Sequence, residues 1–374
     1  MIFRLLLVFQ LLMVPAVTRS QTTAEDGFLL PIVVGGQTYR LEAYSVRPAN
    51  STEPLPLVII SHGTSGEFYE NELTHASNYR TIARDFAWRG WHAVAIVRRG
   101  FGVSDGVFPR SGQCGPQLGV DRIFDSYATD VLAAVEALGK HRDGLTGKVM
   151  SDTSRVLLIG TSTGGLTSLL AASRVERGKK VAAVNMSGGW KSGRCEWQPQ
   201  VAEIFGAAGK ASAARGGVPS IWFYAENDSF FPPTAAERFL KAYRDNGGKA
   251  RISMYPPIGE DGHFIFGEAR GKERWWPELD AFLAEQGLPH LTPAMINTLI
   301  EQAKVPSGLR ATAERYIRLS GEKALAITAD GKRVYWRFSE GLSATAQRRS
   351  LEDCNKVQAG CKLLMVNNAP APRP

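Results

Sequence analysis

Four apolar residues, Val156 to Ile159, run straight into Gly160-Thr161-Ser162-Thr163-Gly164, and another glycine follows at Gly165. An unbroken apolar run of this kind suits a strand buried on both faces of a sheet, and Gly165 to Val175 has the composition of the helix after it. A serine at such a junction needs small neighbours, because the chain must turn sharply while presenting the side chain. The segment predicts an α/β protein with a mostly parallel sheet.

The same alternation recurs along the chain. Ile32 to Ala49 reads as an early strand pair turning at Gly35-Gly36, and Pro56 to Ile60, Ala93 to Val97, Val181 to Met186, Pro219 to Ala225 and Ala250 to Tyr255 are further strands. Helical segments are expected at Asn78 to Arg89, Asp121 to Leu138, Thr234 to Asn246 and Trp276 to Gln286, so residues 26–290 read as one doubly covered sheet. Beyond about residue 290 the texture becomes short and polar. A connecting helix at Pro293 to Ala303 lies in a linker, residues 291–312, before a small appended α+β module at 313–368. There, strands Lys323 to Thr328 and Val334 to Phe338 flank the hairpin turn Asp330-Gly331, and helix Ser343 to Val357 precedes a closing strand, Leu363 to Val366. The module's residues name no partner. The end, residues 369–374, is expected to be disordered.

Met1 to about Ser20 places Arg4 before an apolar stretch from Leu5 to Val17, which reads as a removable secretory signal, and no later segment is long and apolar enough to span a bilayer. Removing it takes away two arginines, lowering the formal charge from +8 to +6. Basic pairs such as Arg98-Arg99 and Arg348-Arg349 are scattered without an aromatic-basic repeat, so solubility accounts for them and nucleic-acid binding is not indicated. Cys114, Cys195, Cys354 and Cys361 fall into two sets, which favours disulfides Cys114–Cys195 and Cys354–Cys361 over a metal site and suits an oxidising compartment.

A serine hydroxyl becomes a useful nucleophile only when a base takes its proton. Asp228 follows the strand through Tyr224 and His263 follows the strand through Met254, so Ser162, Asp228 and His263 appear in the order nucleophile, acid, base, separated by 66 and 35 residues. Glu226 and Asp261 are the nearest substitute acids. The backbone amides of Thr163 and Thr64 are candidate donors to a tetrahedral oxyanion, the latter in the loop His62-Gly63-Thr64 that His62 would order. This chemistry requires no metal or cofactor, and no phosphate-binding glycine pattern accompanies it.

Taken in order, Leu57 to Thr64, the run Arg99 to Gly106, the elbow Gly160 to Gly165, Asp228 and His263 resemble the α/β-hydrolase superfamily over roughly residues 30 to 290. The chain looks most like its dienelactone-hydrolase-like branch, which includes esterases and peptidase relatives. The resemblance implies a sheet of about eight strands and reaction through an acyl-enzyme. Dienelactone hydrolases proper carry cysteine where this chain has Ser162. The segment from about Arg315 to Val366 is loosely similar to small cysteine-bearing domains of exported bacterial proteins.

Aromatic residues near the predicted site, Phe68, Tyr69, Trp190, Phe230 and Phe231, with Phe264 and Phe266 beside the histidine, would form a pocket for a small ester. If Cys114 is bonded to Cys195, Phe101 to Leu118 would be tied across its entrance. The expected function is an exported, periplasmic or extracellular serine esterase. A peptidase or amidase with the same triad, and an inactive binding protein, are the alternatives.

Overall fold

The computed structural model describes residues 23–65, 71–108, 119–191 and 197–372. The leader, Phe68, Tyr69, Cys114 and Cys195 lie outside them. Strands β1 (Thr23–Val34) and β2 (Gln37–Pro48) make an antiparallel hairpin whose turn is Gly35-Gly36, both at positive φ. Strands β3 (Leu55–Ser61), β4 (His92–Ile96), β5 (Ser151–Thr161), β6 (Lys180–Met186), β7 (Pro219–Ala225) and β8 (Lys249–Tyr255) complete an eight-stranded sheet in the order β1-β2-β4-β3-β5-β6-β7-β8. Only the β1–β2 and β2–β4 pairings are antiparallel. The central strands are apolar without alternation because both faces are covered: every residue of β4, and Val156 to Gly160 of β5, is buried.

Two groups of helices cover the sheet. Helices α1 (Arg80–Ala87) and α6 (Ala269–Glu285) meet through Phe86 and Trp276, and Arg89, just beyond α1, makes a two-pronged ion pair with Asp280. Helices α2 (Val120–Leu138), α3 (Thr163–Arg174), α4 (Gln198–Ala214) and α5 (Pro233–Asp245) pack in a row. Helix α6 begins earlier than expected and continues through Pro277. The sequence gives little sign of α4, whose Gly206 and Gly209 weaken its intrinsic preference. Tertiary packing decides instead: a Cβ on Gly209 would lie 2.2 Å from the Tyr243 carbonyl oxygen, so glycine lets α4 approach α5 closely.

One hydrophobic cluster runs from Leu30 to Leu288, and a second from Leu291 to Met365. The second contains α7 (Pro293–Gln302), α8 (Arg310–Arg318), and an antiparallel sheet ordered β10 (Val334–Glu340), β9 (Glu322–Ile327), β11 (Lys362–Val366), β12 (Ala369–Pro370), with α9 (Ser343–Asn355) packed on it. Helix α8 lies partly where only a linker was expected; it buries Ala313, Tyr316 and Ile317 on one face. The expected disordered end is corrected at Ala369 and Pro370. Asn367 turns the chain at φ 53° and lets them pair with Val366 and Met365. Cys354 and Cys361 form a disulfide between the end of α9 and the start of β11.

Polar contacts join the two parts. The Ser320 hydroxyl donates to Asp85, and Arg84 pairs with both Glu322 and Glu25. Buried Lys323 donates from Nζ to the carbonyls of Tyr316, Ile317 and Leu319, capping the end of α8. Glu25 also accepts from Tyr44, Thr23 and Arg80. Burial alone would raise the Glu25 carboxyl, but its hydrogen bonds from Arg84, Tyr44 and Thr23 hold it down at about 2. Its contribution to stability is therefore present above about 4.5 and lost as pH falls towards about 2. In thermal melts across that interval, Glu25→Gln should show a shallower loss of stability than wild type; parallel curves would place the acid sensitivity in other groups.

Candidate active site

Ser162 occupies the single step between β5 and α3, at φ 55° and ψ −125°. A side chain tolerates this conformation only when its surroundings hold it. Here the Ser162 N–H donates to Met186 O at 3.0 Å, while its carbonyl accepts from Gly165 at 2.9 Å and Gly189 at 3.1 Å. The glycines make the turn possible by leaving out atoms. A Cβ on Gly160 would sit 2.3 Å from Gly164 O, one on Gly164 would sit 2.2 Å from Ser61 O, and one on Gly165 would sit 2.2 Å from Asn185 Oδ1.

Asp228 is buried in the turn after β7, where its Oδ1 accepts from the amides of Phe230 at 2.9 Å and Phe231 at 2.8 Å. His263 Nδ1 lies 3.1 and 3.2 Å from its two carboxylate oxygens. A carboxylate can only accept, so Nδ1 carries a proton, and in the neutral ring Nε2 is the nitrogen with the lone pair. The ring is held by Phe230, stacked at 4.2 Å, and by the edges of Phe231 and Phe264 at 5.3 and 5.6 Å. Asp261 does different work: its Oδ1 accepts from the amides of His263 and Ser229 and its Oδ2 from the Ser229 hydroxyl, fixing the loop.

Gly189 connects the two halves of the site. Its N–H holds Ser162 O, and a Cβ on it would be 2.9 Å from the Phe231 ring, which packs on His263. No hydrogen bond joins Ser162 Oγ to His263 Nε2 in this resting arrangement; serine–base contacts often close only around substrate.

Thr64 and Thr163 come together through their hydroxyls, 2.8 Å apart. The Thr163 amide opens α3 and so has no acceptor within its own helix. His62 is committed to the loop between them: Nε2 accepts from the Arg98 amide at 3.1 Å and Nδ1 donates to Gly63 O at 2.5 Å. Burial, and then the Arg98 charge, push its pKa well below the ordinary histidine value, keeping it neutral.

Arg98 corrects the sequence reading of the Arg98-Arg99 pair as surface charge. It is fully buried, donating to Ser61 Oγ at 3.0 Å, His62 O at 2.7 Å and Thr163 Oγ1 at 3.3 Å, with its guanidinium 4.3 Å from the Tyr127 ring centre. Among the described residues no carboxylate pairs with it directly. Arg99, half-buried, pairs with Asp130. Asn185 and Tyr224 were also missed: Asn185 Nδ2 donates to the Tyr224 hydroxyl, which donates to Gly188 O beside the elbow. A polar residue inside an otherwise apolar strand was their only signal.

Of the expected pocket residues, Phe230 covers the histidine, Phe231 is core behind it, and Trp190 is half-buried against the main core. Among the described residues no cluster has the makeup of a metal site and no helix is long and apolar enough to cross a membrane.

A family model described as serine aminopeptidase, S33, matches residues 52–208. No curated protein matches the chain. Among solved structures, a Klebsiella pneumoniae protein assigned as a dienelactone hydrolase is similar at 20% identity and TM-score 0.47, over 70% of this chain and 99% of that one. Thermogutta terrifontis esterase 2, phosphorylated by paraoxon, is similar at 15% identity and TM-score 0.48, over 72% and 96%. An acylaminoacyl peptidase of Pyrococcus horikoshii is similar at 15% identity and TM-score 0.46, over 73% and 43%.

The close approach at the elbow is directly testable. Gly164→Ala should destabilise the protein by about 1–3 kcal/mol, the usual cost of overpacking, because its methyl group meets two backbone carbonyls. Denaturant unfolding would measure this; an unchanged midpoint would show that the turn is looser than described.

Proposed function

We infer that this chain, a member of the α/β-hydrolase superfamily, cleaves small carboxylic esters through an acyl-enzyme on Ser162. The observation that carries the reading is the buried Asp228–His263 pair, placed one strand-end loop away from a serine held at positive φ. In the proposed reaction His263 Nε2 removes the Ser162 proton as Oγ bonds to the ester carbonyl carbon. The amides of Thr64 and Thr163 donate to the oxyanion that forms. Asp228 orients the imidazole and stabilises its charge. Collapse of the intermediate breaks the bond to the alkoxy oxygen, which takes the proton from His263. Water, deprotonated by the same nitrogen, then releases the acid. Apart from the ester and one water molecule, each step uses groups on this chain.

The disulfide Cys354–Cys361 and the apolar leader support export to the periplasm or beyond. The S33 description of the matching family model favours a second reading, hydrolysis of aminoacyl amides by the same groups.

A fluorophosphonate should label wild type once, at Ser162, and should not label Ser162→Ala. Asp228→Asn should lower kcat by about 10³–10⁴-fold, the scale of losing the oriented tautomer. Labelling with turnover of aminoacyl amides but not esters would select the second reading. A folded wild type that is neither labelled nor active would point to a binding protein.

A further inference from the structure

A cleft of about 540 Å³ is lined by chain neighbours of two of the proposed reacting groups. Its walls include Thr161, the residue before Ser162, and Phe264, the residue after His263, together with Tyr79 and Phe266. The far wall comes from the second hydrophobic cluster's part of the chain: Gly321, just before β9, and Gly341, just after β10.

That far wall is anchored on both sides. Ser320, immediately before Gly321, donates to Asp85, and Glu322, immediately after it, pairs with Arg84. Both partners belong to α1, which begins directly after Tyr79 on the opposing wall. The same helix thus fixes the spacing across the cleft. Both residues contributed by the appended part are glycines, so no side chain projects from them into the space. Gly321 turns at φ 85°, and a Cβ on Gly341 would meet nothing within 4 Å.

We propose that the appended part is the distal wall of the substrate site and sets how long a group the enzyme accepts. The occupant is an extended group attached to the scissile ester, lying along Tyr79, Phe264 and Phe266 towards Gly341 in a cleft that Asn78, Glu268 and Lys272 also line. This rests on the ester-hydrolase reading above and adds the substrate class and the part of the chain that selects it. Selectivity then appears as a difference in kcat/KM between long and short esters, because only long ones reach the far wall.

The test compares wild type with Gly341→Trp on two ester series, one lengthening the acyl chain at constant alcohol and one lengthening the alcohol at constant acetyl. Gly341→Trp should lower kcat/KM at least tenfold for the longest members of one series and change the shortest ester less than twofold. The series that responds identifies the side of the ester that fills the cleft. Equal effects on all lengths, or no effect, in a variant that melts like wild type would overturn the proposal. Should the tryptophan prevent folding, Gly341→Cys can be alkylated after folding with reagents of increasing length; loss of long-ester turnover that grows with the tag supports the wall, and indifference to tag length refutes it. Fluorophosphonate labelling of Ser162, run in parallel, separates the two claims. Intact labelling and short-ester turnover without length discrimination overturn the wall alone, whereas their absence from wild type removes the esterase reading and the wall with it.

Discussion

The pairing of β3 with β5 sets the position of everything at the site. These strands run parallel with Ser61 opposite Gly160, so the loop leaving β3 and the turn leaving β5 emerge side by side. Gly164 then packs against the carbonyls of Ser61 and His62, and Thr64 meets Thr163 across the gap. A slip of one residue would put each β3 side chain on the other face of the sheet and carry the loop away from the serine. The buried runs Leu57 to Ile60 and Val156 to Ile159 resist that slip, since both are fully enclosed by neighbours. Core packing in mid-sheet is what gives the strained serine its fixed surroundings.

Arg98 extends this arrangement beneath the surface. A buried guanidinium costs several kcal/mol in lost hydration, and here it is offset by bonds to backbone and hydroxyl oxygens and by the faces of aromatic rings rather than by a touching carboxylate. The arrangement leaves a positive charge behind the two threonines. Burial first, and then this charge, keep His62 neutral, so that its ring can accept from one amide and donate to a carbonyl.

The sequence made the candidate elbow, acid and base legible because each requires a particular residue type at a strand end, and strand ends follow from apolar runs. It put Asp228 ahead of Glu226 and Asp261 by chain order alone; in three dimensions Asp228 faces the imidazole, while Asp261 accepts from the His263 amide. Arg98 was misread for a related reason: composition counts a charge without showing whether water surrounds it. Helix α4 escaped because its glycines serve a helix–helix contact rather than local preference. In the appended part the short strands showed, yet its glycines facing the cleft did not, because an open wall is defined by atoms that are missing.

Arg84 pairs with Glu25 near the first described strand residues and with Glu322 at the start of β9. During synthesis the first two are made close together, while Glu322 follows 238 residues after Arg84. The hairpin edge of the large sheet and Arg84 of α1 are therefore made well before the second acidic partner, which arrives only with β9. Arg84 is thus the point at which the edge of the large sheet and the start of β9 share one charge.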